Sequence, residues 1–185
     1  ISHIIEKFPH AKVFHIAIGF KGKLVKDFLE IAYPKKKFNF IKIKNYSGKG
    51  SGLGLTLINS VNHFDKPFYF VSCDTFVDNE IKFKKFNWLG ISDRKDLLNN
   101  YRHLRIKNNY VTKILEKKVI KQKNDKIYIG LAFIKDVLAF KENLKENKKK
   151  VLNFGEVAVL ASMIKKNINF KISNFNWYDT GNKND

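Results

Sequence analysis

The sequence predicts an α/β domain with a mixed, mainly parallel sheet and helices on both faces. Three observations carry that expectation. Short runs of β-forming apolar residues alternate, through the first half, with stretches whose apolar residues recur at helical spacing. Glycine, proline or aspartate punctuates those runs. The chain has 185 residues, 44% of them apolar, with 17 Phe and 7 Tyr. That is enough for one domain with a real core, and it excludes a disordered chain.

Each element follows from its own pattern. Ile1, Ile4, Ile5 and Phe8 stand at helical spacing, and Pro9 closes the segment. Lys12 to Gly19 (KVFHIAIG) reads as a buried strand ended by glycine, with His15 as a core histidine. A helix follows, with Leu24, Val25, Phe28, Leu29 and Ala32 on one stripe and Pro34 as its stop. Phe38 to Lys44 (FNFIKIK) is the next strand. The glycine-dense YSGKGSGLG leads into a helix carrying Leu57, Ile58 and Val61, and Phe68 to Cys73 (FYFVSC) is the strand after it. In α/β sheets ligands sit at the carboxyl ends of strands, which places Asp74 on the edge where chemistry is expected. Cys73, one residue earlier, is expected to face the other way, into packing.

The second half is less regular. Asn87 to Ser92, His103 to Lys117 and Lys126 to Ile134 read as strands, and helices are expected over 136–146 and 155–166. A short strand, NFKISNF, leads into WYDTGN, and Trp88 and Trp177 read as core or pocket wall. The run KENLKENKKK reads as an exposed helix end or turn.

Charge narrows the classes less than its size suggests. The net charge is +19, yet Arg94, Arg102 and Arg105 are the only arginines; the remaining positive charge is dispersed lysine. Bidentate phosphate recognition favours arginine, so this pattern reads as a solvated lysine surface that still favours an anionic substrate, without nucleic acid as a partner. No apolar stretch approaches the roughly 20 residues of a membrane span. The single cysteine excludes an internal disulfide and points to a reducing compartment. The chain opens on Ile1 and its sole methionine is Met163, so an upstream segment is expected.

Two features carry chemistry. Asp74 and Asp179 each end an apolar segment and each is followed by threonine (SCDT and WYDTGN). Two carboxylates from separate strand ends suit a divalent ion whose other ligands are substrate phosphates and water. For each aspartate alone, a turn or helix-capping role is the competing reading. Gly48, Gly50, Gly52 and Gly54 bracket Lys49 and Ser51 directly before a helix, where backbone N–H groups can approach an anion. A flexible turn is the equal alternative. The spacing is neither that of a Walker loop nor that of a dinucleotide fingerprint.

In these motifs the chain resembles the sugar-phosphate nucleotidyltransferases, whose fold is Rossmann-like and glycosyltransferase-A-like. The resemblance runs in order through KGSGLGLTL, KPFYFVSCDT, TKILEKK, KIYIGLAFI, FGEVAVLASMI and WYDTGN, and so covers nearly the whole chain as a single domain, 1–185. It implies that Gly50, Ser51, Gly52 and Gly54 contact the nucleotide and that Asp74 and Asp179 bind Mg²⁺. Lys117 would hold the acceptor's phosphate. Glu116, Gly130, Glu156 and Trp177 would contact the acceptor's organic part. The implied reaction joins an NTP to a phosphorylated sugar or small alcohol and releases pyrophosphate, in the cytoplasm and usually for surface polysaccharide. The family's first strand and its glycine-rich triphosphate loop have no counterpart here, which implies roughly 25–30 further residues upstream. Two other readings stand beside this one. A glycosyltransferase of related fold would want a D-x-D motif, which Asp74-Thr75-Phe76 does not supply. A basic nucleic-acid-binding module would want clustered lysines and strongly salt-dependent binding.

Overall fold

The computed structural model describes residues 1–94, 100–117, 119 and 122–181. Helix α1 (Ser2–Lys7) leads into a parallel βαβ unit: β1 (Val13–Ile18), α2 (Gly22–Ala32) and β2 (Lys37–Lys42). A helical crossover is what lets two successive strands run parallel. Then come α3 (Leu53–Ser60), a 3₁₀ turn over Val61–His63, β3 (Phe68–Val71) and β4 (Thr75–Val77). The second half supplies β5 (Trp88–Ser92), β6 (His103–Lys107), β7 (Tyr110–Leu115) and the long β8 (Lys126–Ile134). Helices α4 (Val137–Glu146), α5 (Lys148–Phe154) and α6 (Glu156–Lys165) follow, and β9 (Lys171–Asn174) and β10 (Trp177–Asp179) finish the described chain.

The main sheet has the order β3-β8-β5-β9-β7-β6, and β6 pairs with β8 as well, so five of its strands close a ring from which β3 extends. Side chains alternate across β8. Tyr128, Ala132 and Ile134 enter a core shared with Leu57, Phe140, Leu144, Val151 and Leu160 of the helices. Ile127, Ile129, Leu131 and Phe133 enter a second core on the opposite face, with Phe8, Val77, Trp88, Phe175 and Trp177. Period-two alternation thus buries both faces of one strand.

The architecture is α/β with mixed sheets, but the expectation of a mainly parallel sheet does not hold. Among the described strands only β1–β2 and β5–β9 pair in parallel; the other pairings are antiparallel. The reason is local. In the second half strands are joined by turns, as at Asn108–Asn109, whose φ values of 51° and 64° make the tight hairpin between β6 and β7.

Four smaller expectations are corrected. Strand β3 stops at Val71, and Thr75 N–H donates to Ser72 O in a turn, so the strand alternation never reaches Cys73, which is exposed. His15 is exposed, because alternate residues of β1 face outward, and it lies beside the His63 ring. Of the expected α2 stripe, Leu29 is buried while Leu24 and Phe28 are exposed. KENLKENKKK does hold a helix end, at Asn147 between α4 and α5, but it is not exposed throughout, since Asn143 and Leu144 are buried.

Candidate functional site

β8 also locates the site. β5 occupies one of its edges. On the other edge β3 pairs with residues 131–134 and β6 with residues 126–127. Between those partners the edge is split, and Tyr128, Ile129 and Gly130 line a cavity of about 930 Å³ that opens there. The split is pinned on both sides: Ser72 N–H donates to Gly130 O and Tyr128 N–H to Arg102 O. A gap between diverging strands is where α/β proteins place ligands.

The two aspartate–threonine pairs meet at this opening. β4 and β10 pair antiparallel with Asp179 opposite Thr75. Thr75 Oγ1 donates to Ile129 O at 2.5 Å, tying β4 to the split edge. Thr180 donates both its N–H and its hydroxyl to Asp74 O, at 2.9 and 3.0 Å. The threonines therefore hold the turns, and the carboxylates are left to face the cavity. A Cβ placed on Gly181 would stand 3.1 Å from Asp179 Oδ1 and 3.4 Å from Asp74 Oδ2, so both carboxylates face the same point. Asp74 is exposed, whereas Asp179 is buried and anchored by Gly181 N–H on Oδ1 and Tyr101 Oη on Oδ2. This oxygen-only pair, open on the cavity side, fits a hard divalent cation completed by phosphate and water. Among the described residues no cluster of three or more His, Cys, Asp or Glu gathers as a metal site.

The glycine turn lines the same cavity. Ser51, Gly52 and Gly54 line the cavity, and Gly50 lies just outside the lining. Ser51 Oγ donates to Gly48 O, closing the turn on itself. Gly48, Gly50 and Gly52 have positive φ and open space around a Cβ. Gly54 differs: its Cβ would come within 1.9 Å of Val151 O, so its absence of side chain lets α3 pack on α5.

The remaining predicted residues divide. Lys117, Gly130, Glu156 and Trp177 line the cavity. Gly130 has φ +69°, and a Cβ there would meet Ser72 Oγ at 2.5 Å. Glu116 does not line it; its exposed carboxylate takes both of its contacts from Arg102 Nε, at 3.1 and 3.3 Å. Glu156 opens α6 and is 5% exposed. Burial pushes its carboxyl up to about 7, against its hydrogen bonds to the first N–H groups of the helix and the pull of Arg102. Tyr128 Oη lies beside that carboxyl without closing a hydrogen bond of normal geometry, and burial, then the Glu156 charge, raise the phenol well above its ordinary value. Trp177 Nε1, also buried, has no hydrogen-bond partner among the described residues.

Sequence reasoning did not find Tyr101, Arg102, Ser72 or Tyr128 as site residues. Tyr128 had a signal, since it sits two residues from Gly130 on the same strand and so on the same face. Tyr101 and Arg102 precede β6 in no motif, and only the fold brings them to the cavity.

No family model and no curated protein matches the chain. Solved structures do. One assigned as a glucose-1-phosphate thymidylyltransferase of Bacillus anthracis, in complex with sucrose, has TM-score 0.79 and 15% identity over 99% of this chain and 77% of that one. A UDP-glucose pyrophosphorylase complexed with UDP-glucose has TM-score 0.72 and 16% identity, covering 98% and 79%. The inositol-1-phosphate CTP transferase of T. maritima has TM-score 0.67 and 13% identity, covering 96% and 74%. The fold of this chain is that of the sugar-phosphate nucleotidyltransferases.

Proposed function

We propose that this chain transfers a nucleotidyl group from an NTP to a phosphorylated sugar or small alcohol, with release of pyrophosphate. The observation that carries the reading is the convergence of Asp74 and Asp179 on one point of a large cavity, in this fold. An oxygen of the acceptor's phosphate attacks the α-phosphorus in line. The bond from that phosphorus to the bridging oxygen breaks, and pyrophosphate leaves with the electron pair. Such chemistry needs positioning and charge neutralisation and no protein nucleophile. Asp74 and Asp179 would hold Mg²⁺, which when bound supplies positive charge to the phosphates.

The chain's own groups do the rest. Ser51, Gly52 and Gly54, on the glycine-turn wall, receive the nucleotide, with Gly50 shaping the turn. Lys117, on the cavity wall, offsets the negative charge of the attacking phosphate. Gly130 lets the acceptor lie against the backbone of β8. Glu156 and Trp177 hold the acceptor's hydroxyls, the first as a carboxyl that keeps its proton near neutrality and the second through an indole N–H that has no other partner among the described residues. Glu116 acts on the acceptor through Arg102. A reducing, cytoplasmic setting agrees with the exposed thiol of Cys73, and supply of activated sugars for surface polysaccharide is the pathway that fits the reaction.

The test is pyrophosphate release by the whole gene product with Mg²⁺, each of CTP, UTP, GTP and dTTP, and a panel of sugar and alcohol phosphates. One NTP–acceptor pair should support turnover, and D74A and D179A should each lower it by about 100-fold or more. Full activity in both variants would remove the cation assignment; no release with any pair would remove the reaction class.

A further inference from the structure

Tyr101 touches three residues of the site at once. Its hydroxyl donates to Asp179 Oδ2 at 2.5 Å. Its ring meets Trp177 edge-on, with centroids 4.9 Å apart and planes at 88°. Lys117 Nζ lies 5.9 Å from its ring centroid. Trp177 and Asp179 are buried and stand two residues apart on β10, so they share a face of the strand. Tyr101 therefore grips that face at two points, ring on ring and hydroxyl on carboxylate.

The consequence falls on the carboxylate's orientation. A carboxylate on a three-residue strand at the chain's described end can rotate about its terminal torsion, which is broad for aspartate. Gly181 N–H fixes Oδ1 at 2.7 Å and Tyr101 fixes Oδ2. With Gly181 N–H on one oxygen and the Tyr101 hydroxyl on the other, the rotation is fixed. Oδ1 is then held toward the point at Gly181 that Asp74 Oδ2 also faces.

We infer that Tyr101 is a positioning residue for the cation-binding carboxylate, its hydroxyl holding Asp179 in the orientation that meets Asp74 across Gly181. The inference rests on Asp74 and Asp179 being the cation ligands. Partners of this kind, one step out from a metal, are worth 10- to 100-fold in metal affinity.

The experiment titrates Mn²⁺ against the full chain, alone and with each of CTP, UTP, GTP and dTTP, reading bound ion by loss of the free-ion EPR signal. Wild type, D179A and Y101F are compared, with a thermal melt of each. The expected result is weak or absent binding in D179A, and about tenfold weaker binding in a Y101F protein that is still fully folded at the binding temperature. Y101F keeps the ring against Trp177, so its fold is retained. No binding by wild type, or equal binding by wild type and D179A, would instead overturn the cation assignment and with it the premise. Binding lost in D179A but intact in Y101F would overturn the role of Tyr101 alone. Weaker binding from a Y101F protein already partly unfolded at the binding temperature would make Tyr101 a packing residue and would overturn it too.

Discussion

The glycine turn and the strand ends line one cavity and are built in opposite ways. At Gly48, Gly50 and Gly52 a Cβ would meet nothing within 4 Å. Elsewhere in the lining Gly130 is pressed against Ser72, Glu156 is buried, and Asp179 is hydrogen-bonded through both oxygens. One wall is preorganised by packing and by a split sheet; the other is held by a turn that closes on itself. Preorganised donors and acceptors suit the reacting phosphates, where small displacements are costly. An open turn suits a planar base that slides in against backbone.

The contrast breaks first at Gly54, which belongs to the turn in sequence but to the packed side in structure. G54V puts a branched side chain where even a Cβ would be 1.9 Å from Val151 O. Backbone faces backbone there, so neither partner can yield. The expected loss is above about 4 kcal/mol, measured as the urea midpoint, with α3 and α5 separating. A G54V protein of wild-type stability would mean that α3 does not dock as described.

How far the site was legible in the sequence follows the same division. Gly130 and Glu156 were named only through the resemblance, whereas Asp74 and Asp179 end apolar segments, where punctuation marks them. Their convergence was legible only as a resemblance, since the β4–β10 pairing joins segments about a hundred residues apart. Strand β4 is three residues long and carries no pattern of its own. Tyr101 and Arg102 were invisible because their placement depends on β6 leaving the edge of β8 where β3 arrives. The antiparallel second half was missed because apolar runs announce strands but not their direction.

Glu156 sharpens the packed side through pH. Its folded-state pKa, about 7, lies above its ordinary value of 4.5, so between those values the folded chain binds more protons than the unfolded one. The Glu156 contribution to stability should therefore fall as pH rises from about 4.5 through 7, with its full penalty present above 7. E156Q removes the titration. The stability of E156Q relative to wild type should rise by up to about 3 kcal/mol between pH 4.5 and 8, read by urea unfolding of both proteins at a series of pH values. Parallel curves for the two proteins would mean that the carboxyl is solvated. G130A comes next: a left-handed backbone and a close Ser72 hydroxyl together cost about 2 kcal/mol, and a raised KM for the acceptor should accompany the loss while KM for NTP holds.

The smallest effects belong to the open wall, and there two neighbouring glycines separate backbone strain from ligand contact. Gly50 and Gly52 both have positive φ, 84° and 139°, and both have room for a methyl group. G50A costs about 1 kcal/mol for a left-handed alanine. G52A costs somewhat more, because its φ of 139° with ψ of −176° lies in a region nearly reserved for glycine. Gly52 lines the cavity at the start of α3, and Gly50 lies just outside the lining. G52A should therefore raise KM for the NTP several-fold, and G50A by about twofold or less, with stability measured alongside to remove the backbone contribution. Equal KM changes would mean that the turn acts as one rigid unit, and the division between an open wall and a packed one would then end at Gly52.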